Sequence, residues 1–118
     1  ILGYASGALD ALHMGLGPVV AMPKALERAG KALEDMEIIE INEAFSAQIL
    51  ACHRDMPFDM EKLNPCGGAI ALGHPIGATG GKILATLIYS LKRQKKELGI
   101  VSACIGGGQG VAMVLRNL

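Results

Sequence analysis

The feature that most restricts the fold of this chain is an apolar run at residues 83–91. Leu, Ile and Ala dominate the run, and Lys82 is the only charged residue near its start before Lys92 follows its end. A helix that is apolar nearly all round is a buried helix. The fold must therefore place a layer on each side of this helix, and we expect the second layer to lie outside these 118 residues.

The rest of the chain predicts strands that alternate with helices. Alternating or β-branched apolar residues predict strands at residues 1–6, 36–41, 100–105 and 111–115. Apolar residues at helical spacing predict an amphipathic helix from Met22 to Leu33, and composition predicts another at residues 43–53. Gly15, Gly17 and Pro18 predict a loop before the first helix.

The last two predicted strands are joined by the glycine-rich segment 106–110, a spacing that suits an antiparallel hairpin. Strands that alternate with helices and end in a hairpin indicate an α/β fold, with a mixed sheet and helices on its faces. The length of 118 residues fits one domain, residues 1–118.

Composition and charge exclude several classes of partner. The chain has 11 Lys and Arg residues and 11 Asp and Glu residues, so its formal net charge is zero. No net electrostatic field of the whole chain would therefore attract nucleic acid or an anionic membrane. No stretch is long and apolar enough to cross a bilayer. Apolar residues make up 51% and charged residues 19% of the chain, which indicates a surface that meets other protein. The chain opens with Ile1, and we expect it to be a piece of a longer protein.

One cluster of basic residues follows the apolar run: Lys92, Arg93, Lys95 and Lys96. It is interpreted as the solvated end of a helix or, as the alternative, as a contact for an anionic cofactor tail.

The chain has three cysteines, an odd number, and their spacing is not that of a metal site: Cys52, Cys66 and Cys104. This argues against a disulfide framework and against a zinc site, and it favours a reducing compartment.

Three residues at the ends of predicted elements could carry chemistry. Cys104 ends a strand and runs into glycines whose bare N–H groups could face a ligand, although it could also be a small buried core residue. His74, between Gly73 and Pro75, has a side chain suited to proton transfer near neutrality, or is only structural. Asn42 could cap the following helix, or its carboxamide could fix a water or a substrate oxygen. His13 and His53 are interpreted as structural.

Two glycine-rich stretches invite nucleotide-binding interpretations that their spacing rejects. Gly81 and Lys82 resemble the end of a phosphate-binding loop, but Ile76 stands where the first glycine should be and Ile83 follows the lysine. The segment 106–110 enters a predicted strand instead of a helix, so it is not a dinucleotide fingerprint.

Taken together, three segments resemble the thiolase family. They are Asn-Glu-Ala-Phe at 42–45, Gly-Gly-Ala-Ile-Ala-Leu-Gly-His-Pro-Ile-Gly-Ala-Thr-Gly at 67–80 and Cys-Ile-Gly-Gly-Gly-Gln-Gly at 104–110. The match runs from about residue 15 to the end and is weaker from residue 1. The resemblance implies the C-terminal half of the family fold: a mixed sheet of the five-stranded type with helices on both faces, within a five-layer αβαβα sandwich.

The resemblance also implies a reaction and a role for each residue. The family performs reversible Claisen condensation and thiolysis on coenzyme A thioesters, which are substrates and not bound cofactors. Cys104 would move the proton on the carbon that becomes nucleophilic, and His74 would activate the nucleophilic cysteine and bind the thioester oxygen. Asn42 would hold a water in the same oxyanion site, and the N–H of Gly106 would serve a second one. These donors would be worth several kcal/mol when preorganised.

The nucleophilic cysteine of the family would lie in an absent N-terminal half, so we expect the chain to be inactive alone. Cys66 stands where many biosynthetic members have asparagine, while Asn64 and Pro65 resemble some degradative members, so acyl chain length and direction stay open. A non-catalytic module that binds lipid or acyl-CoA is the alternative function. A ketoacyl synthase is disfavoured, because that group has a histidine where Cys104 stands. By resemblance we expect a homodimer or homotetramer in the bacterial cytoplasm, with mitochondria and peroxisomes as alternatives.

Overall fold

A computed structural model describes all 118 residues. Four strands form one mixed sheet: β1 (Gly3–Ala8), β2 (Ile38–Ile41), β3 (Leu98–Ile105) and β4 (Gln109–Arg116). The helices are α1 (Gly17–Ala29), α2 (Ser46–Asp55), the short α3 (Ala69–Leu72) and α4 (Thr79–Gln94), with 3-10 turns at Ala11–Leu16 and Met60–Lys62.

The strand order is β1-β4-β3-β2, with β4 antiparallel to both its neighbours and β2 parallel to β3. The predicted hairpin is therefore confirmed, and Ile105 pairs with Gln109 at its end. Because β2 and β3 are parallel, their carboxyl ends meet at the same edge of the sheet.

The sheet has four strands, where the resemblance predicted a five-stranded type. At the outer edge of β2 only one further residue, Leu63, forms a bridge, and its partner is Ile39. Asn64 then adopts a left-handed conformation with φ of 45°, and Pro65 has no N–H to give to a ladder. An extended strand therefore cannot continue along this edge.

Helix α1 begins earlier than its apolar spacing predicts. Pro18 stands in its first turn, where a missing N–H costs no helical hydrogen bond, so the helix starts at Gly17 and the predicted loop there is wrong. The helix ends at Ala29 because Gly30 takes the left-handed conformation, with φ of 62°, and its N–H bonds the carbonyls of Glu27 and Leu26. Leu33 consequently lies outside the helix.

Helices cover both faces of the sheet, as predicted. On one face, α1 and α2 pack on the strands in an apolar core of fourteen buried residues that includes Met22, Ile39 and Ile100. On the other face, α4 packs on β2 and β3 in a smaller core of six: Ile38, Ile83, Leu87, Leu91, Val101 and Leu115. We call these the α1 face and the α4 face.

Helix α4 is buried on one side only within this chain. Leu87 and Leu91 are fully covered by the sheet, whereas Tyr89 is 71% exposed and Ile88 is 37% exposed on the outer side. Beside the helix, a groove of about 430 Å³ lies open over β1 and β4, lined mostly by apolar side chains. No residue of this chain therefore covers Ile88 and Tyr89 on the outer side of α4, and the further layer expected there stays a prediction.

Candidate active site at the carboxyl ends of β2 and β3

Asn42 lies at the edge of the sheet where β2 and β3 end. It follows the last residue of β2, and its backbone N–H donates to the carbonyl oxygen of Ser102 at 2.9 Å. This bond sets Asn42 beside the last part of β3, which ends with Cys104 and Ile105. Its side chain is 1% exposed. Open α/β sheets bind ligands at this edge.

Asn42 does not cap the helix that follows, so the capping interpretation is wrong. Helix α2 begins at Ser46, and its N-cap is Phe45 in an extended conformation with no side-chain capping bond. The side-chain Nδ2 of Asn42 instead lies 3.3 Å from Nε2 of His74. The structure thus brings together two of the predicted site residues that are far apart in sequence.

The ring of His74 is held from its other nitrogen by Thr79. Nδ1 of His74 lies 2.7 Å from Oγ1 of Thr79, and the Thr79 hydroxyl donates to the carbonyl oxygen of Pro75 at 2.9 Å. Since the hydroxyl proton is already committed to Pro75, we assign the Nδ1 proton to His74 from this network. Nε2 then carries a lone pair, which accepts from the Nδ2 group of Asn42.

Thr79 is a contributor that the sequence reasoning missed. It is the first residue of α4 and is buried, and it touches the ring of the histidine five residues before it. The signal available in the sequence was a single hydroxyl at the start of a helix beside a histidine loop. That signal is weak, because Ser and Thr are common near helix starts for capping alone.

Asn64 and Glu43 fix the backbone around Asn42. The side chain of Asn64 accepts from the N–H of Ile41 at 2.9 Å and donates to the carbonyl of the same residue at 3.0 Å. It also donates to the Glu43 carboxylate at 3.0 Å, whose other oxygen accepts from the N–H of Ile70. The end of β2 is thereby tied to the loop that leads to His74.

Cys104 lies in the last part of β3 and is half-buried. Burial raises the pKa of its thiol above the usual range, with a smaller opposing effect from a backbone hydrogen bond. A Cβ built on Gly17 would lie 3.0 Å from the Cα of Cys104, so only glycine allows α1 to start this close to the backbone of Cys104. The ring nitrogens of His74 contact Asn42 and Thr79, and neither contacts this sulfur.

Gly106 begins the turn of the hairpin and is exposed. A Cβ added to it would meet nothing within 4 Å, so its surroundings are open. The next two residues, Gly107 and Gly108, have φ of 87° and 86°, a conformation that other residues rarely adopt. An added Cβ on Gly108 would overlap the carbonyl oxygen of Leu9.

The remaining cysteines and histidines contact other parts of the chain. The buried thiol of Cys52 donates to the carbonyl of Gly15 at 3.4 Å, and burial raises the pKa of Cys52. Cys66 lies 3.1 Å from the hydroxyl of Ser90 and 2.7 Å from the guanidinium of Arg93. The ring of His53 packs edge-on against another ring, that of Phe58, at 4.9 Å.

No three His, Cys, Asp or Glu side chains come close enough together to form a metal site. Every helix in the structure is too short or too polar to cross a bilayer.

Comparison with known proteins places these features in one family. The family model described as "Thiolase, C-terminal domain" matches residues 1–117. Acetyl-CoA acetyltransferase of Escherichia coli K12 is 54% identical over 118 residues, and human mitochondrial 3-ketoacyl-CoA thiolase is 47% identical over 117 residues. The matches cover 100% and 99% of this chain and 30% of each relative.

Solved structures agree with the sequence matches. The acetyl-CoA acetyltransferase of Bacillus anthracis superposes with a TM-score of 0.98 at 47% identity, over 100% of this chain and 30% of that one. Human mitochondrial 3-ketoacyl-CoA thiolase in complex with CoA gives 0.96 at 46% identity, over 98% of this chain and 29% of that one. The chain thus spans less than a third of the length of these proteins. It belongs to the thiolase family and corresponds to the C-terminal domain of that family.

Proposed function

We propose that this chain is the C-terminal catalytic domain of an enzyme that performs Claisen condensation and thiolysis on coenzyme A thioesters. The observation that carries the proposal is the contact of Asn42 with His74, with Thr79 holding the far side of the ring, at the edge of the sheet where Cys104 lies. The names of the relatives, acetyl-CoA acetyltransferase and 3-ketoacyl-CoA thiolase, and the structure of one of them with CoA, support this substrate class.

His74 acts on a nucleophilic cysteine that lies outside this chain. Its neutral ring presents the Nε2 lone pair, while the Nδ1 proton is held by Thr79. When Nε2 takes the proton of that thiol, the resulting thiolate attacks the acyl thioester. The ring is then a cation whose Nε2–H can donate to the thioester oxygen. One ring therefore supplies a base first and an oxyanion donor afterwards.

Cys104 moves a different proton, the one on the carbon next to the carbonyl of an acetyl thioester. In condensation its thiolate takes this proton and the carbanion attacks the acyl group on the other cysteine. In thiolysis its thiol returns the proton to that carbon. The raised pKa of the Cys104 thiol fits this role, because it makes the thiolate a stronger base. Asn42 holds a water in the first oxyanion site, and the N–H of the exposed Gly106 serves the second.

The missing nucleophile belongs to an N-terminal half, and the uncovered apolar surface of α4 supports a place for it. Tyr89, Ile88 and the open groove over β1 and β4 would lie against that half. The full-length enzyme is a homodimer or homotetramer, a state that light scattering on the purified protein would test. Bacterial and mitochondrial relatives both occur, and we propose the bacterial cytoplasm as its location.

The experiment that tests this function separates the two chemical steps. In the full-length enzyme, Cys104→Ala should abolish condensation, with a loss of at least about 10³-fold. It should still accept an acetyl group from acetyl-CoA on the missing cysteine, which intact-mass spectrometry would detect. Cys66→Ala is the matched control and should keep both steps.

Equal loss of both steps in Cys104→Ala would contradict the acid and base role. A wild-type enzyme that binds acetyl-CoA without acylation or turnover would instead favour the non-catalytic acyl-CoA binding module.

A further inference from the structure

A second buried polar side chain, Glu40, lies on the same strand face as Asn42. Side chains alternate between the two faces along a strand, so those of Ile38, Glu40 and Asn42 all point towards α4. Ile38 belongs to the apolar core on that face. Glu40 is 2% exposed, and its Oε1 is buried without a hydrogen-bond partner. Oδ1 of Asn42 is the only other buried side-chain oxygen or nitrogen in the same condition.

A buried carboxyl group without a partner is costly, and the cost is far larger when the group is charged. No cation neutralises Glu40, since the two ion pairs of the structure join Arg54 to Asp55 and Arg116 to Glu97. The groups that face Glu40 are Glu43, just beyond the end of β2, and Lys82 on α4. The Lys82 ammonium donates to the carbonyl of Gly73. The burial of Glu40 is produced by this chain alone, so the N-terminal half is not needed to cover it.

We propose that Glu40 is a positioning residue that holds a proton and, through one buried water, fixes the orientation of the Asn42 carboxamide. The backbone positions of residues two apart on a strand face are separated by about 6 to 7 Å, and one water joins polar atoms up to about 5.5 Å apart. A small lean of the Glu40 side chain along the strand brings its carboxyl group within that reach of Oδ1 of Asn42. The Glu40 hydroxyl donates to the water, and the water donates to Oδ1 of Asn42. Nδ2 of Asn42 is thereby kept towards His74 and the oxyanion site.

Loss of the proton places a negative charge beside the oxyanion site. The water can still donate one hydrogen to the Glu40 carboxylate and the other to Oδ1 of Asn42, so the carboxamide keeps its orientation. The charge on Glu40 instead repels the negative charge that develops on the thioester oxygen during the reaction, and kcat falls. Desolvation, together with the charge of Glu43, raises the pKa of Glu40 to about 7, with Lys82 opposing, so this fall in kcat lies within the pH range that an assay can cover.

The test rests on the proposed function and uses the full-length enzyme. Glu40→Gln keeps a neutral donor at every pH, Glu40→Leu removes the donor, and Glu27→Gln on the exposed side of α1 is the matched control. At pH 6 we expect Glu40→Gln to keep kcat within about twofold of wild type, and Glu40→Leu to lose about tenfold with KM little changed. The ratio of kcat in Glu40→Gln to kcat in wild type should rise several-fold as pH increases through about 7.

A ratio that stays flat with pH, or full activity in Glu40→Leu, overturns the proposal. The infrared carbonyl band of a protonated carboxyl group, present in wild type at pH 6 and missing in Glu40→Gln, gives a readout that does not need turnover. Absence of that band also overturns it. A wild-type enzyme that shows the band but has no thiolysis activity would mean that the proposed function fails while the protonation of Glu40 stands.

Discussion

The two faces of the sheet differ in what they bury. The α1 face buries fourteen apolar residues and is closed by α1 and α2. The α4 face buries only six and also takes in polar groups, among them Glu40, Asn42 and Thr79. Buried polar groups cost stability unless they are satisfied. The difference indicates that the α1 face carries most of the stability of the fold, while the α4 face holds the buried polar side chains of Glu40, Asn42 and Thr79.

The strongest challenge to this comparison is a substitution at His74. His74→Ala in the full-length enzyme should lower both acyl transfer and condensation by about 10³-fold, because one ring serves both steps. Its free energy of unfolding should change little. The control His53→Ala removes a ring that packs on Phe58 and should leave kcat within about twofold of wild type. Near-normal activity in His74→Ala would contradict the role proposed for this ring.

A substitution on the α1 face should have the opposite effect. Met22 is fully buried in the larger core, and Met22→Ala should lower the free energy of unfolding by about 3 kcal/mol by leaving a cavity. The kcat of the enzyme that remains folded should be unchanged. Chemical denaturation, with activity measured on the same samples, checks both parts. A large change in kcat without loss of stability would contradict the division of roles.

The stability of the α4 face should depend on pH, because Glu40 is buried there. Its pKa is raised to about 7 in the folded chain from an ordinary value of 4.5, so the folded state binds the extra proton between these values. The contribution of this proton to the free energy of unfolding is therefore fully present below about pH 4.5, and it is lost as pH rises through about 7. Glu40→Gln avoids this loss and should be more stable than wild type by about 2 to 3 kcal/mol at pH 8. Near pH 4.5 the two proteins should differ little.

Denaturant unfolding at several pH values measures this difference, with Glu27→Gln as the control that should show no such trend. A constant difference between Glu40→Gln and wild type across pH would mean that Glu40 does not titrate in this range.

The smallest effect is expected at the uncovered side of α4. Tyr89→Lys should change the free energy of unfolding of the 118-residue chain by less than about 0.5 kcal/mol, because the ring is 71% exposed. In the full-length enzyme the same change should cost several times more if the N-terminal half covers this side. Thermal unfolding of both proteins gives the comparison. Equal small effects in both would argue against coverage at Tyr89.

Local patterns predicted the elements better than their ends. The hairpin of β3 and β4 is confirmed because glycines and β-branched residues act over short distances. The start of α1 was missed, since Pro18 was interpreted as part of a loop, although it also suits a first helical turn. A fifth strand was expected by resemblance, and Asn64 and Pro65 prevent it.

The sequence predicted which residues form the candidate site but not which of them are in contact. Asn42, His74, Cys104 and Gly106 were named from motifs, and their catalytic roles stay predictions. The contact of Asn42 with His74 and the support from Thr79 and Asn64 join residues that are distant or unremarkable in sequence. Glu40 looks like an ordinary polar residue in a strand until α4 covers it.

By itself the sequence determined the α/β pattern, the hairpin, the apolar helix α4 and the family of the chain. These follow from periodicity, turn chemistry and motif order, which are local properties of the chain. Only the tertiary structure decided which polar groups are buried, which nitrogen of His74 carries the proton, and that Oε1 of Glu40 and Oδ1 of Asn42 lie on one face without hydrogen-bond partners. Burial and hydrogen bonding depend on what lies across the fold, and no local pattern specifies them.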